Sequence, residues 1–285
     1  DKLRYEAKLL AHLQNIRQHP NFPTLITPYR GATVNDRPYG KIGFQNETKY
    51  FMLFEHVSGE FLRDVLRVSP FPWNRYAHYV VRGVSAGVMF MHENQKLHLN
   101  ISPDIVYIRT DMDGVPRPLL FDFGLDDPEL IAHARTIIPP SYIPPELLAM
   151  PRASFQSDVY GLGLMMYEML MGEPAYSFKS RYDEMIWDDV SKGKFIPIAR
   201  TDLPNPEKPE YRDGNTVIMS AIQPNPMMRQ ENVAVFAHEM YRLFGDVPPE
   251  RKRRIAWLNR RNMAIVGLVV VIIIVQLIVI SAVFT

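Results

Sequence analysis

The stretch HLNISPDI, from His98 to Ile105, gathers an imidazole, an amide, a hydroxyl and a carboxylate, and FDFG, from Phe121 to Gly124, sets a further carboxylate, Asp122, ahead of a glycine. Groups of these types serve proton transfer and cation binding. What they can do depends on which group stands where. Asn100 is a neutral amide with no useful basicity at pH 7. Ile105 is aliphatic and cannot ligate a hard cation, whereas Asp122 offers one carboxylate, enough to help hold a single divalent ion. Asp104 is a further carboxylate and a candidate base, set directly after Pro103.

These residues need a scaffold, and the patterning supplies one. LRYEAKLLAHLQNI (Leu3 to Ile16) has apolar residues at helical spacing and is stopped by Pro20 and Pro23. KYFMLFEHV (Lys49 to Val57) predicts one buried strand, followed by the turn residues Ser58 and Gly59. In YAHYVVRGVSAGVMFMHEN, Ala77, Val80, Val81, Val84, Val88 and Met91 share one helical face, so a helix leads straight into the His98 loop. VYIRTD and RPLLFDF flank DMDG and predict a hairpin that presents Asp122. SDVYGLGLMMYEMLMG is apolar nearly all round, which places it at the centre of a helical layer. Strands early and helices late predict an α+β fold.

The 285 residues are 47% hydrophobic and 22% charged, within the globular range. The absence of cysteine excludes disulfides, thiolate zinc sites and thiol redox chemistry. Six of the basic residues, Arg251 to Arg254 with Arg260 and Arg261, cluster late in the chain, and nothing else supports a nucleic-acid role. MAIVGLVVVIIIVQLIVISAVF, from Met263 to Phe284, has no charge and is long enough to predict a single transmembrane helix. The basic cluster ahead of it predicts a cytoplasmic location for everything N-terminal and contact with anionic lipid. No signal peptide is expected.

The motifs, taken in order, resemble the protein kinase family from Asp1 to about Phe244. Glu6 stands in the helix that carries the family's salt-bridging Glu and is followed by HPNFPTL. Phe54 stands in the gatekeeper place, and Glu55 to Val57 where backbone would hydrogen-bond adenine. FDFG carries Asp122. PPELL supplies Glu146, SDVYGLG supplies Asp158, and QPNPMMR ends at Arg229, which the resemblance pairs with Glu146. The resemblance implies a partial small lobe at 1–57 and a mainly helical large lobe at 58–244, while the hydropathy and charge read above give a basic juxtamembrane linker at 245–262 and the span at 263–284. It also implies a buried packing role for His98 and a possible site for ATP with one Mg²⁺ on Asp122, with Glu55 and Val57 at the nucleotide.

The catalytic loop departs from the family pattern. Asn100 replaces the catalytic Asp, Ser102 the Lys, and Ile105 the metal-binding Asn, while Leu99 replaces an Arg and Pro139 a Thr. The glycine-rich loop and the strand lysine of the family would precede the first helix, and the sequence as it stands places no residues there. Three readings follow. The first is a membrane-anchored pseudokinase that docks onto, or allosterically regulates, a cytoplasmic signalling protein or an active kinase. The second is a divergent Ser/Thr kinase transferring the γ-phosphate of ATP. The third is an ATP-sensing domain without catalysis.

Overall fold

A computed structural model describes residues 2–68, 76–111, 115–176, 182–198 and 212–244. They belong to one compact unit, Asp1–Pro248. The chain opens with α1 (Lys2–Ile16), whose Ala7, Leu10, Ala11 and Leu13 are buried at the spacing expected of a core-facing helix. Four strands follow: β1 (Leu25–Ile26), β2 (Gly40–Phe44), β3 (Glu47–Phe51) and β4 (Leu53–Phe54). β2 and β3 form an antiparallel hairpin, and β1 pairs antiparallel with β4.

The single buried strand expected over Lys49 to Val57 is therefore two, broken at Met52 and belonging to different pairs. The cause is the turn at Gln45 and Asn46, both at positive φ (48° and 62°). That geometry joins strands through two residues and ties β3 to a partner, β2, that the sequence reading did not anticipate. The aromatic run signalled strand propensity but not burial, since Tyr50 and Leu53 are exposed.

Beyond the hinge, β5 (Gly59–Phe61), β6 (Val106–Thr110) and β7 (Pro116–Leu120) make an antiparallel sheet in the order β5-β6-β7. The expected hairpin is β6 with β7, and the chain leaves β7 after Leu120, which frees Asp122 from the ladder. The helices are α2 (Leu62–Val68), α3 (Ala77–Glu93), α4 (Pro128–Ile131), α5 (Ala134–Ile137), α6 (Pro145–Ala149), α7 (Phe155–Met171), α8 (Asp183–Lys192), α9 (Gly214–Ala221) and α10 (Val233–Phe244). The apolar face read on α3 is buried along its length. Every residue of α7 from Ser157 to Leu170 is buried, and the helix packs against α3, α9 and α10. It begins in a capping box between Ser154 and Ser157 and ends at Gly172, whose φ of 78° a side-chain-bearing residue would resist. The fold is α+β, with a small strand-rich part and a larger helical part.

One expectation is corrected. Among the described residues no helix is long and apolar enough to cross a membrane, and the segment 263–284, like the basic linker ahead of it, lies outside them. The transmembrane helix, the single-pass topology, the membrane location and the lipid contact gain no support and are dropped from the functional reading.

Candidate functional site

The loop from His98 to Ile105 is held from below by α7. Asp158, on the first turn of that helix, is fully buried and accepts three hydrogen bonds. Its Oδ2 takes the His98 backbone N–H at 2.9 Å and His92 Nε2–H at 2.8 Å, and its Oδ1 takes the Leu99 N–H at 2.7 Å. Leu99 sits at φ 65°, a left-handed conformation that costs about 1–3 kcal/mol in a residue with a side chain. The Asp158 clamp explains why the loop adopts it. His98 is buried, donates Nε2–H to the Phe121 carbonyl at 3.0 Å and accepts the Asn100 N–H on Nδ1 at 3.3 Å. Burial pushes its pKa down, although the Asp158 charge opposes this, so the ring is a neutral packing group.

Asp122 faces this loop, also in the left-handed region at φ 63°. Its Oδ2 accepts Asn100 Nδ2–H at 2.5 Å, and its Oδ1 is paired with the Lys2 ammonium. Both carboxylate oxygens are thus engaged within the chain. Four residues on from Lys2, one turn along α1, Glu6 accepts the Phe123 N–H at 3.0 Å. Burial first, and the Asp122 charge second, raise the Glu6 pKa from 4.5 to about 7. Tyr5 completes this face: its ring packs where a side chain on Gly124 would have to go, and its hydroxyl bridges Lys96 and Asp126. Helix α1 therefore holds the segment from Asp122 to Asp126 through three inward-facing side chains.

At the expected nucleotide edge, the Glu55 N–H bonds to the Thr24 carbonyl at 2.9 Å and the Tyr107 hydroxyl donates to the Val57 carbonyl at 3.0 Å. Phe121 stands at the centre of an aromatic group, edge-on to Phe54 at 5.5 Å and near Phe61 and Tyr107. Asp122, the expected Mg²⁺ ligand, is bound to a cation and an amide, and no group of three or more His, Asp or Glu able to hold a metal occurs among the described residues. Ile105 is buried among apolar groups, and the Ser102 hydroxyl and Asn100 Oδ1 are buried with no protein partner.

Glu146 and Arg229 form a bidentate pair at 2.9 and 2.8 Å, with Arg229 also bonded to the carbonyls of Gln223, Pro224 and Gln156 and packed over Tyr160. Asp104 is bound bidentately by Arg63 at 3.0 and 2.9 Å. Arg63 also pairs with Glu168, which accepts from the Tyr142 hydroxyl. Lys2, Arg63, Tyr142 and Glu168 were not singled out from the sequence. The four-residue spacing of Lys2 and Glu6 was a usable signal, but Arg63, distant in sequence from both its carboxylates, gave none.

The protein kinase domain family matches residues 2–241. Serine/threonine-protein kinase PknB of Mycobacterium tuberculosis is 23% identical over 249 residues, covering 85% of this chain and 37% of that protein. PknB of Mycobacterium leprae is 25% identical, over 70% of this chain and 31% of its own length. Serine/threonine-protein kinase CG17528 of Drosophila melanogaster is 25% identical, over 69% of this chain and 26% of its own. The chain thus spans well under half the length of these curated relatives. With the family's motifs in order and its fold built around them, the chain belongs to the protein kinase domain family.

Proposed function

We propose that this kinase domain transfers no phosphoryl group and acts as a docking or allosteric module for another signalling protein. The observation that carries the reading is the state of Asp122, whose two oxygens are held by Lys2 and Asn100. Asn100 donates to Asp122 where a base would have to accept a proton. Loss of a general base alone lowers such rates by about 10²–10⁴-fold, and Ser102 and Ile105 remove two further groups acting on the same transition state.

Phosphate transfer from labelled ATP to the protein itself and to a generic Ser/Thr substrate is expected at background level. Asn100→Asp alone restores nothing, because it sets a carboxylate against Asp122 Oδ2 and the two charges repel. The triple change Asn100→Asp, Ser102→Lys, Ile105→Asn is the least set worth testing. Clear activity in the unmodified protein, abolished by Asp122→Ala, overturns the reading in favour of a divergent kinase.

A second prediction follows from the Lys2 pair. Any thermal stabilisation by ATP is expected to be the same with and without Mg²⁺, and Lys2→Met, which releases one Asp122 oxygen, is expected to introduce a metal dependence. Stabilisation of the unmodified protein that requires Mg²⁺ counts against the pairing and favours an ATP sensor.

A further inference from the structure

The outer face of α1 borders a cleft of about 680 Å³ that the site described above does not use. Lys8 and His12, one helical turn apart on α1, form one wall, and Arg37 and Lys41 stand on the loop and strand opposite. Its single lining carboxylate, Asp36, is turned to its own loop: it accepts from the Thr33 hydroxyl at 2.7 Å, and this bond is the main reason its pKa is lowered. Three fixed positive charges, on Lys8, Arg37 and Lys41, therefore face one internally satisfied negative charge, with the His12 ring beside them. The remaining walls are aromatic: Tyr39 and Tyr50 meet edge-on at 5.8 Å, and the Arg37 guanidinium lies over Tyr29 at 5.0 Å.

We propose that this cleft binds a phosphorylated side chain presented by a partner protein, with the phosphate on Lys8, His12 and Lys41 and the flanking peptide against the tyrosine rings. A dianion with several acceptor oxygens suits ammonium and imidazole donors lining one cleft better than a single carboxylate does. Tyr50 and Tyr29 each carry a guanidinium over one face, of Arg4 and Arg37, and the rest of the three rings gives flanking side chains an apolar surface that free phosphate would not exploit. The cleft and the Asp122 site share α1, Lys8 and His12 facing outward and Lys2 and Glu6 inward, so an occupant bears on the helix that holds Asp122. The proposal rests on the docking reading and names its ligand, but its test is independent of phosphoryl transfer.

The test is fluorescence polarisation with a peptide pool carrying a fixed phosphoserine and degenerate flanks. Its unphosphorylated counterpart and inorganic phosphate as competitor complete the set. Lys8→Glu/Lys41→Glu is compared with Lys192→Glu/Lys194→Glu, an equal charge change on α8 and the residues after it, away from the cleft. Both pairs are exposed, and thermal melts check that the variants fold. Expected are binding of the phosphorylated pool, at least tenfold weaker in the cleft variant and little changed in the α8 variant, with the unphosphorylated pool bound at least tenfold less tightly. Absent binding, or equal loss in both variants, overturns the site. Competition by inorganic phosphate at the peptide's own concentration overturns the peptide and leaves a free-anion site. Background phosphoryl transfer in the same preparations keeps failure here distinct from failure of the inactive-kinase reading.

Discussion

Replacing Arg229 with methionine is expected to destabilise the folded domain by about 3–5 kcal/mol, the usual effect of removing one partner from a buried ion pair. The Arg229 side chain is fully buried, while its partner Glu146 is only 14% exposed and would keep just the Ser157 hydroxyl at 2.7 Å. The loss extends beyond the pair. Three loop carbonyls, of Gln223, Pro224 and Gln156, accept from the same guanidinium, and its packing over Tyr160 at 4.5 Å goes with it. In a domain of this size the melting temperature should fall by on the order of 10 °C. Glu146→Gln and the double variant measured alongside complete a double-mutant cycle, in which a large coupling between the positions is expected. A fall below about 1 kcal/mol for Arg229→Met would show that the pair does not hold the helical part together.

The other large effect is a pH dependence centred on Glu6. Its pKa is raised by burial and by Asp122 from 4.5 to about 7, against the opposing influence of the Phe123 N–H and Lys2. An unfolded chain releases this proton near 4.5, whereas the folded one keeps it until about pH 7. Across that window the folded state binds more protons, so the contribution of Glu6 is fully present below about 4.5 and is lost as pH rises to about 7. The shift corresponds to about 3 kcal/mol. Glu6→Gln keeps an oxygen for the Phe123 N–H and has no proton to lose. The variant should therefore show a flatter dependence of stability between pH 5 and pH 8, and should be more stable than the parent at pH 8. Urea denaturation at both pH values measures this. Parallel profiles for the two proteins would show that Glu6 is not the titrating group.

Sequence alone determined those parts of the protein that repeat a local rule. The helical period of α1 and α3 and the strand pair around DMDG were legible because a buried face imposes a spacing on apolar residues within a single element, and α7 because it is apolar nearly all round. The residue types in HLNISPDI were equally legible, because a neutral amide and an aliphatic side chain stand there whatever the fold. Tertiary structure decided the rest. The turn at Gln45 and Asn46 re-paired a run that reads as one strand. Asp158 used its first-turn position to clamp the His98 loop, and Arg63 joined Asp104 and Glu168. Lys2 and Asn100 took the two oxygens of Asp122, a carboxylate that by sequence alone was open to a metal. The last three depend on which charged or polar groups meet across long stretches of chain. An ionised group leaving water takes whatever partner the packing brings near it, and no local period records which partner that is.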